Sequence, residues 1–232
     1  MRPGQALRRD LIIGSVIGCL AVAGFARAHN PTEIYHTLWR AGNRDQRYEF
    51  ARNFPVGALR ARVEDAARGW NHLGPTLHFE RGGTMRGRTI FQDCSSAGKG
   101  HAANTIYWEQ IDGQTAFSAS TWAQTTYCLS RSGRAIRSIA IRFDKQEKWY
   151  KGRHKPGSRL DMWSAATHEW GHASGFGLVG SPDHFAEVDG TCPSIARDSP
   201  DRETMCPSSR YGTVYERSPG LHDRHTFAAA YR

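Results

Sequence analysis

An α+β fold is predicted by three features of this 232-residue sequence. A helical apolar stripe precedes a run of short strand-like segments. An alternating strand then leads into a helix that carries two histidines four residues apart, and a loop-rich stretch separates that helix from a short closing one. Helix, sheet, helix, irregular segment, helix is the order of an α+β domain rather than of a repeating βαβ chain.

Pro55 to Leu73 reads as the first helix. Val56, Leu59, Val63, Ala66 or Ala67 and Trp70 recur at helical spacing, and Gly74 closes it. Its stripe is expected to pack on a sheet. Strands are expected at Thr76 to Glu80, Arg88 to Gln92, Thr105 to Gln110, Ala123 to Ser130 and Ile136 to Phe143. In the last, Ile139, Ile141 and Phe143 alternate with Ser138, Ala140 and Arg142, the pattern of a strand with one buried face. Ser158 to Asp161 reads as a capping box. The helix it opens carries Leu160, Trp163, Ala166 and Trp170 on one side, with Trp163 and Trp170 as core anchors, and Gly175 and Gly177 stop it. Pro182, Pro193, Pro200, Pro207 and Pro219 then mark irregular chain before a final helix from about Leu221 to Tyr231.

Residues 1–28 have the pattern of an export signal: Arg8 and Arg9, an apolar run from Leu11 to Phe25, and the small-residue pattern Ala26-Arg27-Ala28. Arg8-Arg9 also fits a twin-arginine signal. Cleavage after Ala28 leaves residues 29–232 as a single domain, with no linker, repeat or stable membrane span. The signal takes away four of the 31 basic residues and one of the 22 acidic ones, so the remainder stays basic by six charges. Those charges are scattered along the chain, which argues for solvation and against a specific nucleic-acid partner. Cys94, Cys128, Cys192 and Cys206 remain, an even number in an exported chain. Cys94 with Cys128 and Cys192 with Cys206 close the shortest loops of the three pairings.

His168-Glu169-Trp170-Gly171-His172 carries the chemistry. Two histidines four apart on a helix point the same way and can grip one zinc ion, and the intervening Glu169 carboxylate can reach a water beside it. A catalytic zinc needs a third protein ligand and an open position. That ligand must come from elsewhere in the chain, and the distant His154, His222 or His225 is required only if the segment after Gly175 supplies none. His222 and His225 alone, three apart on the closing helix, read as structural or exposed. A calcium site drawing on Asp144, Asp183 and Asp189 has no EF-type spacing behind it. The partner implied by this motif is a peptide or protein substrate, met by a secreted monomer.

His168 to Gly175 resembles the opening of the metzincin zinc-peptidase motif, and Thr204-Met205-Cys206-Pro207 is similar to that clan's Met-turn. Residues 133–231 resemble a bacterial secreted matrixin-like enzyme, with a snapalysin-like one as second choice. The resemblance implies a glycine-driven turn at Gly175, Met205 as an apolar floor under the metal, and the strand at Ile139 to Phe143 along the cleft edge. It departs at Leu178, where the clan has its third histidine and a leucine cannot bind zinc. The resemblance then implies a longer turn with His184 as the third ligand, and Asp183 beside it, on the snapalysin pattern, as the alternative. Tyr211 and Tyr215 do not match the clan's oxyanion tyrosine and read as pocket wall. The implied activity is zinc endopeptidase. The alternatives are a catalytically degenerate binding protein and a zinc hydrolase of cell-wall peptide.

Overall fold

The computed structural model describes residues 38–39, 45–84, 104–111, 121–130, 135–154, 156–176, 204–205, 214 and 217–231. In chain order these form β1 (Leu38–Trp39), β2 (Asp45–Phe50), α1 (Ala58–Asn71), β3 (His78–Thr84), β4 (Asn104–Glu109), β5 (Ala123–Leu129), β6 (Ala135–Asp144), β7 (Trp149–Tyr150), β8 (Leu160–Asp161), α2 (Met162–Ala173) and α3 (Leu221–Ala230). The α+β class holds. The sheet runs β1-β6-β4-β2-β3 with all neighbours parallel, and β5 adds to β6 as the one antiparallel strand among those described. No helix among the described residues is long and apolar enough to cross a membrane.

Two strands of the main sheet, β1 and β2, were not expected, nor was the short β7–β8 pair. β2 is short and alternates Gln46, Tyr48 and Phe50 inward against charged neighbours, and it is the sheet's link between β3 and β4. The expectation for β6 is corrected in two ways. Nearly every residue of β6 is buried, Arg142 included, because partners flank it and this strand is buried on both faces. The Arg142 guanidinium meets Glu109 at 3.3 Å and donates to Gln124 Oε1 at 2.6 Å, so the one cation that seemed to face water is paired inside. Secondly, β6 is an interior strand held by β5 and β4, so the strand beside the candidate site is β5.

Helix α1 is shorter than its apolar spacing predicts. Pro55 and Val56 lie in a turn before it, Val56 is 79% exposed, and Gly57 at φ 82 forms its N-cap. It ends at Asn71 rather than running to Leu73. The Asn71 side chain accepts from Phe79 N and donates to Phe79 O, fastening the helix end to β3. Its stripe packs mainly against α2. Trp70 Nε1 donates to Thr167 O at 2.8 Å and Trp170 Nε1 donates to Val63 O at 3.0 Å, so each helix accepts an indole from the other. Trp170 also packs on Tyr48 and Phe79, with centroids at 4.9 and 4.6 Å, and Trp70 on Phe176 and Phe227. Of the two expected anchors, Trp170 is fully buried, whereas Trp163 is partly buried between the guanidinium groups of Arg62 and Arg217.

Helix α2 also starts later than the sequence predicts. Leu160 and Asp161 are held extended by pairing with β7, so the N-cap is Asp161, whose carboxylate accepts from Ser164 N at 3.0 Å. Arg217 grips the same carboxylate with two nitrogens, each at 2.8 Å, and so ties the chain before α3 to the start of α2. Cys128 is disulfide-bonded. Its expected partner Cys94, together with Cys192, Cys206 and the strand expected at Arg88 to Gln92, lies outside the described residues.

Candidate metal and catalytic site

The site is built where α2 ends. Carbonyls are left over at a helix C-terminus, and here three side chains from distant parts of the chain and the C-cap Ser174 donate to carbonyls of this end. Trp39 Nε1 donates to Ala173 O at 2.9 Å, Tyr127 Oη to His172 O at 2.9 Å, Tyr231 Oη to Ser174 O at 2.7 Å, and Ser174 Oγ to Trp170 O at 2.9 Å. Strands β1 and β5 and the end of α3 thus fix the last turn of α2.

Gly175 closes it in the left-handed region at φ 95, with Gly175 N bonded to His172 O and Phe176 N bonded back to Gly171 O, a Schellman turn. The sharp turn that the resemblance implied at Gly175 is present. It returns the chain so that Phe176 O lies 3.0 Å from His172 Nδ1. On the preceding turn of the helix, His168 Nδ1 lies 2.8 Å from Thr204 O. Carbonyls only accept, so both Nδ1 atoms carry hydrogen and both Nε2 atoms present lone pairs in the neutral rings.

Those two Nε2 atoms are 3.0 Å apart. Two lone pairs facing each other at this distance repel unless they share a cation. Zinc bonds of about 2.0–2.1 Å at a tetrahedral angle would set two nitrogens roughly 3.3 Å apart, close to what is seen. Imidazole nitrogens with carbonyl-bound Nδ1–H groups are also the usual outer arrangement of a zinc site. The donor set therefore fits the metal that the sequence implied.

Thr204 is itself held. Its N–H donates to Asp223 Oδ2 at 2.8 Å and its hydroxyl to Ser218 O at 3.0 Å, and Asp223 also accepts from Gly220 N at the start of α3. The closing helix thereby orients His168 through one residue. Met205, 1% exposed, sits under the helix between the two histidines: a Cβ built on Gly171 would come within 2.2 Å of Met205 Sδ and 2.8 Å of Trp70 Cζ2. Only glycine permits so close an approach. Gly171→Ala is expected to cost about 1–3 kcal/mol in chemical denaturation, through forced displacement of Met205 and Trp70.

Glu169 lies on the helix between the two histidines, 5% exposed, and its Oε2 accepts from Thr125 Oγ1 at 2.6 Å. Burial pushes its carboxyl above the ordinary 4.5, against the opposing pull of His168 and of the Thr125 hydrogen bond. A carboxylate raised toward neutrality is better matched to taking and returning a proton.

Compared with known proteins, the chain matches no family model and no curated protein is significantly similar to it. The chemistry stands on the residues and their geometry.

His168 and His172 are thus brought together, with Glu169 between them on the helix and Met205 against Gly171, and among the described residues no His, Cys, Asp or Glu completes a metal-binding group of three. His184, Asp183, Asp189, Tyr211 and Tyr215 lie outside the described residues. His154 and His225 are exposed. Asp144, considered for calcium, is buried and accepts from Ile111 N and Gln146 N, the work of a turn-holding carboxylate. Sequence reading missed Thr125, Tyr127, Thr204 and Asp223. Thr125 and Tyr127 stand two apart and so share a strand face, but nothing in their spacing says that this face meets α2.

Proposed function

We propose that this chain is a secreted zinc-dependent endopeptidase of metzincin type, matrixin-like in its resemblance. The observation that carries the proposal is the pair of Nε2 atoms 3.0 Å apart, with both Nδ1 atoms turned to carbonyls, on the helix that presents Glu169. His168 and His172 would hold the ion, with His184 as the third ligand and Asp183 as its alternative. When bound, zinc supplies a water that is nucleophilic at neutral pH and polarises the peptide carbonyl.

The chain's own residues do the rest. Glu169 accepts the proton of the attacking water and returns it to the departing amine, serving as base and then as acid. The carbonyls of Thr204 and Phe176 keep the two imidazoles from turning. Strand β5 pairs with β6 and brings the Thr125 hydroxyl onto Glu169, so β5 is the strand that lies beside this carboxylate. It takes the place of the Ile139 to Phe143 strand, which was expected along the cleft edge and is an interior strand.

Incubating the zinc-loaded exported chain with casein and, in parallel, with purified peptidoglycan tests the reading. Release of casein peptides is expected. Cleavage confined to peptidoglycan would move the substrate to cell-wall peptide, and tight zinc binding with neither substrate cut would leave a metal-stabilised binding protein. In the same series, His184→Ala is expected to lose most of the zinc and Asp183→Ala to keep it; the opposite result would exchange the two ligands.

A further inference from the structure

We propose that Thr125 is the positioning residue of Glu169, fixing one carboxylate oxygen so that the other faces the reacting water. The inference rests on the reading of Glu169 as the general base. Thr125 sits on β5, and its hydroxyl lies 2.6 Å from Glu169 Oε2 and 3.1 Å from Glu169 O. The shorter distance is that of a charge-assisted hydrogen bond to a carboxylate. Glu169 Oε1 makes no hydrogen bond among the described residues and is the oxygen left for the water.

A threonine suits this place for two reasons. Its β-branch restricts χ1, so the hydroxyl keeps its direction from the strand. Tyr127, two residues on and on the same face, donates to His172 O, so β5 is bolted to the helix at both ends of the motif and the Thr125 to Glu169 distance is set by the fold. A hydroxyl also donates and accepts. While Glu169 is a carboxylate, the Thr125 hydrogen points to Oε2. Once Glu169 holds the water's proton on Oε1, Oε2 becomes the carbonyl oxygen of the carboxyl and still accepts from the Thr125 hydroxyl. The same pair of atoms therefore stays in contact through proton uptake and release, and no proton is gained or lost by Thr125.

Thr125→Val keeps the shape and removes the hydroxyl; Thr125→Ser keeps the hydroxyl and removes the methyl. In casein-derived peptide hydrolysis, Thr125→Val is expected to lower kcat about 10- to 100-fold with KM, zinc content and thermal midpoint unchanged, and Thr125→Ser to recover most of the loss. Crystal structures of the two variants give a readout that needs no turnover: Glu169 should keep its place in Thr125→Ser and swing from it in Thr125→Val. Unchanged kcat in Thr125→Val, equal impairment of both variants, or an undisplaced Glu169 would overturn the proposal. A zinc-loaded wild type that cleaves nothing would instead overturn the peptidase reading, and the crystal structures would still decide whether Thr125 places Glu169.

Discussion

Glu169→Gln is expected to lower kcat/KM by about 10²- to 10⁴-fold while retaining zinc and fold. Glutamine matches the carboxylate in shape and can still meet the Thr125 hydroxyl through its amide oxygen, but it cannot take up a proton at neutral pH. The site has no second buried acid at hand among the described residues to take its place: Asp161 caps α2 and is held by Arg217, and Asp223 holds Thr204 and Gly220. Loss of turnover with zinc content near wild type would separate proton transfer from metal retention. Equal activity in Glu169→Gln would place the proton acceptor elsewhere.

Trp170→Ala is expected to remove about 3–5 kcal/mol of stability, read as a fall in the denaturation midpoint. The indole is fully buried, packs edge-on against Tyr48 and tilted against Phe79, and donates to Val63 O across the α1 to α2 contact. Alanine leaves a cavity at the centre of that contact and one carbonyl with a donor fewer. Trp170→Phe keeps most of the volume and loses the donor, so it should cost appreciably less than the alanine variant. Because the same residue lies within the ligand helix, metal affinity should fall along with stability in Trp170→Ala. A variant as stable as wild type would contradict the packing described.

How much of this was legible in the sequence depends on how local the cause is. The two histidines and Glu169 are set by helical periodicity alone, and α2 presents them as that period requires. Gly175 was readable because a left-handed turn favours glycine whatever surrounds it. The strands at Asn104–Glu109 and Ala123–Leu129 follow from β-branched and aromatic content, within a residue of where they were expected.

What failed to show depends on contacts between distant segments. The strand pattern at Ile139 to Phe143 suggested one wet face, because an arginine in a strand is usually solvated. Only the pairing of Arg142 with Glu109 and Gln124, from two neighbouring strands, lets that residue sit inside. The start of α2 moved from Ser158 to Asp161 because β7 captures the intervening residues, an event with no local signature. Thr204 and Asp223 look ordinary until α3 folds back and joins them to His168.

Titrating zinc into the chelator-stripped chain and measuring casein cleavage at each addition tests the zinc-peptidase reading. Cleavage is expected to be absent at the start and to rise until about one ion is bound per chain, where it saturates. Full cleavage by the stripped protein, or saturation with zinc and no cleavage at any point, would contradict it.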